Sequence, residues 1–119
     1  MHEVGESLSY CVISLLPAPG PVSITSSKTF FQIVITWEKP ERPNGVIVAY
    51  EVSYYQTADA QHVTRMNTTD RATSLTLTNL QPGTELAFTV RAYTQVGAGE
   101  TNTIIEVTYI SPRKIIISK

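Results

Sequence analysis

The chain has 119 residues, which suits one ordinary domain and is short for two. Nine Lys and Arg against ten Asp and Glu give a formal net charge of -1, so the basic bias that marks nucleic-acid binding is missing. No apolar run reaches the roughly 18 residues of a membrane span, and the single Cys11 excludes an internal disulfide, so the core must be held by packing.

Residues 1–16 open polar and acidic, with Glu3 and Glu6, and end in the apolar run Tyr10 to Leu16. A secretory signal needs a basic start ahead of about 7–15 apolar residues. The stretch therefore reads as the end of a preceding segment or an artificial boundary. A degenerate targeting signal, an extra strand and a flexible tail are the alternatives. From residue 17 the pattern becomes regular. Pro17, Pro19, Gly20 and Pro21 make a stiff entry that excludes helix. Val22 and Ile24 alternate with Ser23 and Thr25, which predicts a first, edge strand where nearby prolines are tolerated.

A second strand is predicted over Phe31 to Trp37, with Phe31, Ile33, Ile35 and Trp37 on one inward face. Pro40, Pro43 and Asn44-Gly45 then signal a loop. A third strand follows over Ile47 to Gln56. Val48, Tyr50, Val52 and Tyr54 are expected inward, and Ala49, Glu51, Ser53 and Tyr55 outward. Val63 to Asn67 gives a weak, polar strand signal. Ser74 to Thr78 alternates cleanly, with Leu75 and Leu77 inward and Leu80 continuing that face.

The segment from Asn79 to Tyr93 is the most informative. Pro82-Gly83 sets a turn, and Leu86, Phe88, Val90 and Ala92 then share one face of a strand reaching Thr94. Val96 to Glu100 reads as a glycine-rich loop. Thr103 to Tyr109 closes the sheet, with Ile105 and Val107 as its expected inward pair. Ser111 onward reads as a tail ending in Ile115-Ile116-Ile117. Seven short strands separated by turn signals about 8–12 residues apart argue for an all-β, antiparallel, immunoglobulin-like sandwich.

Residues that carry chemistry are sparse. His2 and His62 are the only histidines; His2 lies in the irregular start and His62 in a polar loop between strands, and both read as solvated rather than catalytic. Cys11 has no basic neighbour to lower its pKa. No spacing suits a metal, and Gly97-Ala98-Gly99 precedes no helix and so is no phosphate loop. Catalytic residues, cofactors and metals are accordingly not expected. Asn67-Thr68-Thr69 is an N-glycosylation sequon. Tyr55 and Tyr93 fall on outward positions and are candidates for a protein-contact surface. Arg113-Lys114 is too short for a heparin patch, and no Arg-Gly-Asp occurs between Thr94 and Glu100.

Taken in order, several residues resemble a fibronectin type III domain over roughly residues 17 to 108. They are Pro21, Trp37, Asn44-Gly45, Tyr50 to Tyr54, Leu80-x-Pro82-x-Thr84, Phe88-x-Val90-x-Ala92 and Gly97-x-Gly99-Glu100. The stretch from Trp37 to Tyr55 is similar to repeats of Eph receptor tyrosine kinases and of receptor tyrosine phosphatases. The resemblance implies a domain over 17–109 and a linker or tail over 110–119. It also implies a non-catalytic spacer that binds protein partners or neighbouring domains, monomeric in isolation, outside the cell in a single-pass membrane protein. A cytoskeletal or muscle scaffold module in the cytoplasm is the alternative. One departure stands out. The family carries a tyrosine two residues after the Thr84 position, bonded back to the corner backbone, and this chain has Leu86. Restoring that hydroxyl by Leu86→Tyr is expected to stabilise the domain.

Overall fold

A computed structural model of the protein describes residues 17–110. The expectations for residues 1–16, including His2 and Cys11, and for the tail from residue 111 lie outside the described residues. Eight strands and one short 3-10 turn follow in chain order. They are β1 (Ser23–Lys28), β2 (Ile33–Glu38), β3 (Ala49–Gln56), β4 (Thr64–Thr69), β5 (Ser74–Leu77), β6 (Glu85–Thr94), β7 (Gly97–Ala98) and β8 (Asn102–Val107). All pairings are antiparallel. One sheet has the order β1-β2-β5. The second runs β4-β3-β6, and β7 and β8 both pair with β6.

The core lies between the two sheets, because each strand turns its apolar alternate residues inward. Ile33, Ile35 and Trp37 come from β2, and Tyr50, Val52, Leu86, Phe88, Val90 and Ala92 face them from β3 and β6, all buried. Trp37 meets Tyr50 edge-on with ring centroids 5.9 Å apart, and Tyr54 tilts against Phe88 at the same separation. Burial of each such side chain is worth about 1.5–3 kcal/mol. The Trp37 indole N–H has no acceptor among the described residues. Packing alone therefore holds the ring.

Three inward expectations are corrected. Phe31 is 57% exposed because the chain turns before β2: the Thr29 N–H donates to the Gln32 carbonyl at 2.8 Å, so Phe31 sits on the turn. Val48 is exposed because it precedes β3, and Ile47 is buried instead. Ile105 and Val107 face outward, and Ile104 packs against the core in their place.

The last reversal has a specific cause. Tyr93 stands opposite Ala98, while Val90 stands opposite Asn102. Three steps along β6 are therefore matched by four along the partner chain, which is a one-residue bulge between β7 and β8. A one-residue slip exchanges the two faces of everything beyond it. Without the bulge, alternation from the outward Ala98 would have sent Ile105 and Val107 inward. The expected glycine-rich loop thus contains a two-residue strand and the bulge. Gly99 is required there: its N–H donates to the Ala92 carbonyl at 2.7 Å, and a Cβ on it would lie 2.4 Å from the Pro19 carbonyl oxygen.

Candidate functional site

The corner that precedes β6 is built by the backbone and two threonines. Gly83 takes a left-handed conformation (φ +76°), which reverses the chain after Pro82 at little steric cost. Thr84 Oγ1 donates to the Gln81 carbonyl at 2.6 Å. The hydroxyl of the buried Thr108 donates to the same carbonyl at 2.8 Å and accepts the Thr84 N–H at 2.9 Å. The Thr108 N–H donates to the Thr84 carbonyl at 2.9 Å. Leu86 lies buried beside this corner and contributes only packing. A hydroxyl from the residue just after β8 thus supplies side-chain bonding to the corner backbone. Nothing in the sequence around Thr108 marks it for that task.

The outer face of the five-stranded sheet carries the candidate contact residues. Tyr93 stands opposite Ala49 and Tyr55 opposite Ala87 in the β3–β6 register. Both tyrosines are half-buried. Six residues of strand separate the two rows, about 20 Å at the usual rise. The tyrosines therefore share one face and occupy opposite ends of it. Ala87 is 2% exposed although it faces outward, since the register sets it between the larger Tyr55 and Ile105.

The Tyr93 end has the stronger electrostatic organisation. Glu51 and Arg91 are opposite each other, and Arg91 Nε donates to Glu51 Oε1 at 2.7 Å. The Arg91 terminal nitrogen donates to the Tyr93 hydroxyl at 3.3 Å, and the guanidinium carbon lies 5.5 Å from the ring centroid. The bond to Glu51, and secondarily its charge, hold the Arg91 pKa above its ordinary value against a smaller desolvation cost. Arg91 was not singled out in sequence. Its position two residues before Tyr93 places it on the same outward face, but its pairing with Glu51 requires the register.

Asn67 is exposed on β4, directly opposite Glu51, and so continues the same row. Along the sheet the Asn67 row lies two residues from the Tyr93 row and four from the Tyr55 row, so Asn67 is nearer the Tyr93 end. His62 lies in an exposed loop, where its Nδ1 is 2.7 Å from Asp59 Oδ2 across one turn. Among the described residues no three His, Cys, Asp or Glu side chains gather as a metal site would require. No helix among them is long and apolar enough to cross a membrane. A cleft of about 790 Å³, open to solvent, lies between the proline-rich entry and Glu41, Arg42 and Asn44.

Comparison with known proteins fits this geometry. The chain is 38% identical over 84 residues to ephrin type-A receptor 7 of Gallus gallus, a match covering 69% of this chain and 8% of the receptor. It is 39% identical over 98 residues to ephrin type-A receptor 4-A of Xenopus laevis, covering 80% of this chain and 10% of the receptor. The chain thus spans a tenth or less of these relatives. A solved chain from a computer-based redesign of a β-sandwich protein superposes with a TM-score of 0.66 at 27% identity, covering 76% of this chain and 95% of that one. The model of the fibronectin type III domain matches residues 17–108, and the chain belongs to the fibronectin type III family.

Proposed function

We propose that the chain is a non-catalytic spacer and protein-interaction module in the extracellular part of a single-pass cell-surface receptor, one that carries a kinase or phosphatase elsewhere in its length. The observation that carries this reading is the 38–39% identity to ephrin receptor segments over most of a sandwich. The surface supports the same reading. On the sheet face Glu51, Arg91 and Tyr93 are paired with one another. Neighbouring domains of the same chain, or separate proteins, are the partners. The domain itself is monomeric, and Tyr55 and Tyr93 are the residues offered for contact.

The test uses the full-length protein with an epitope placed next to this domain in cultured cells. Antibody staining of intact cells and surface biotinylation should both detect it. Detection only after permeabilisation would reject the extracellular assignment in favour of an intracellular scaffold module.

A further inference from the structure

We propose that Asn67 carries an N-linked glycan that lies over the Glu51–Arg91–Tyr93 end of the outer sheet face and leaves the Tyr55 end open. The inference rests on the extracellular reading above, since only a chain that enters the secretory pathway meets the transferase. Three observations carry it. Asn67 opens the triplet Asn67-Thr68-Thr69, and its side chain is exposed, with no hydrogen bond to its amide among the described residues. It sits on β4, which among the described residues is at the end of the sheet and pairs only with β3. The register continues from Asn67 to Glu51 and on to Arg91, a span of two strand spacings or about 10 Å.

The chemistry is balanced by a lipid-pyrophosphate-linked oligosaccharide. The Asn67 amide nitrogen forms a bond to C1 of the first sugar. The bond from C1 to the pyrophosphate oxygen breaks, the lipid pyrophosphate leaves, and one amide proton passes to a base of the transferase. Thr69, two residues on, presents the hydroxyl that the sequon requires. That hydroxyl lies at the strand end, where it accepts the Arg71 N–H at 3.4 Å. By the register Arg91 and Tyr93 lie about 10 and 12 Å from Asn67 and Tyr55 about 14 Å, so a glycan directed across the sheet reaches Arg91 and Tyr93 first.

The chain is expressed in mammalian cells behind a secretory signal, with a second sequon appended after Lys119 to report exposure to the transferase. Occupancy of Asn67 is expected by mass spectrometry, with release by peptide-N-glycosidase and loss in Asn67→Gln and Thr69→Ala. Hydroxyl-radical labelling of the glycosylated protein is expected to show loss of labelling at Tyr93 relative to the enzymatically deglycosylated protein, with Tyr55 unchanged. An occupied appended sequon beside an empty Asn67 overturns the site. An occupied Asn67 with unchanged labelling at Tyr93, or with equal loss at Tyr55, overturns the placement. Because the signal forces entry, these failures are distinct from failure of the extracellular reading, which the surface labelling of the native protein decides.

Discussion

Thr108→Val isolates the side-chain bonding of the corner. Valine keeps the shape of threonine at a position that is 1% exposed, and removes only the hydroxyl. Two hydrogen bonds disappear, one donated to the Gln81 carbonyl and one accepted from the Thr84 N–H. At about 0.5–1.5 kcal/mol net for each, the gross loss is about 1–3 kcal/mol. Neither backbone group is stripped bare. The Gln81 carbonyl keeps the Thr84 hydroxyl, and the Thr84 N–H keeps a longer, 3.2 Å bond to that carbonyl. The added buried methyl returns about 0.8 kcal/mol. The expected net destabilisation is about 0.2–2 kcal/mol, corresponding to a fall in Tm of about 1–16 °C for a domain of this size. Urea unfolding followed by tryptophan fluorescence should show a lower midpoint with an unchanged slope, the signature of lost stability without a change in the denatured state. An unchanged or raised midpoint would refute the assignment of Thr108 as the fastener of the corner.

Leu86→Tyr should raise Tm, and should raise it more in the Thr108→Val background, where the corner groups have lost a partner; equal gains in thermal melts of both backgrounds would show that the new hydroxyl bonds elsewhere. Gly99→Ala should destabilise by about 1–3 kcal/mol in denaturant titration, because the new Cβ meets the backbone and ring of Pro19 at 2.4 and 2.7 Å, and a neutral result would mean that the bulge is looser than described. Glu106 is held below the ordinary carboxylate range, first by its bond from Lys28 and then by that from Ser26. Its stabilisation is therefore full above the unfolded pKa and is lost as pH falls through the lower folded value. Glu106→Gln should flatten the acid limb of a Tm-against-pH curve, and an unchanged limb counts against the pairing. Tyr50 has its pKa raised first by burial and then by Asp70, so its share of stability is present at neutral pH and drains away as pH rises beyond the ordinary tyrosine range. Tyr50→Phe should remove that part of the alkaline loss, as read by the same melts.

The parts of the fold legible in the sequence are those where alternation and a strong turn coincide. Leu86, Phe88, Val90 and Ala92 follow directly from Pro82-Gly83 and occupy the core together. Ile33, Ile35 and Trp37 behave likewise. Alternation fails where the backbone departs from a regular ladder. Ile104 and Ile105 are adjacent and chemically identical, so only the bulge decides which faces the core, and the bulge depends on how Gly99 seats against Pro19. Phe31 matches the parity of its strand and is lost to a turn of which the sequence gives no sign. The candidate surface shows the same division. Asn67 and Tyr93 are identifiable singly, by a motif and by parity. The row that joins Asn67 to Glu51 and Arg91, with Tyr93 in the next outward row, is a property of pairing between residues as far as 40 apart in the chain, such as Glu51 and Arg91, and only the register reveals it.

The sheet edges bear on how such a module meets partners. An unpaired edge strand invites pairing with another chain unless something opposes it. On β8 the opposition is Glu106, whose parity turns it inward to the gap between the sheets. There it accepts from Lys28 and Ser26, which point inward from β1. An inward charge on an edge strand is tolerated in this fold because β1 supplies its partner. A strand from another molecule would have to compete with that arrangement. On the other edge, β4 shows exposed Arg65, Asn67 and Thr69 on its outer side, and a glycan at Asn67 would bar approach further. Both edges of the five-stranded sheet are thus opposed to strand addition. On the proposed function, this leaves the sheet face around Tyr55 and Ile105, and the loops at the two ends, as the surfaces for contact.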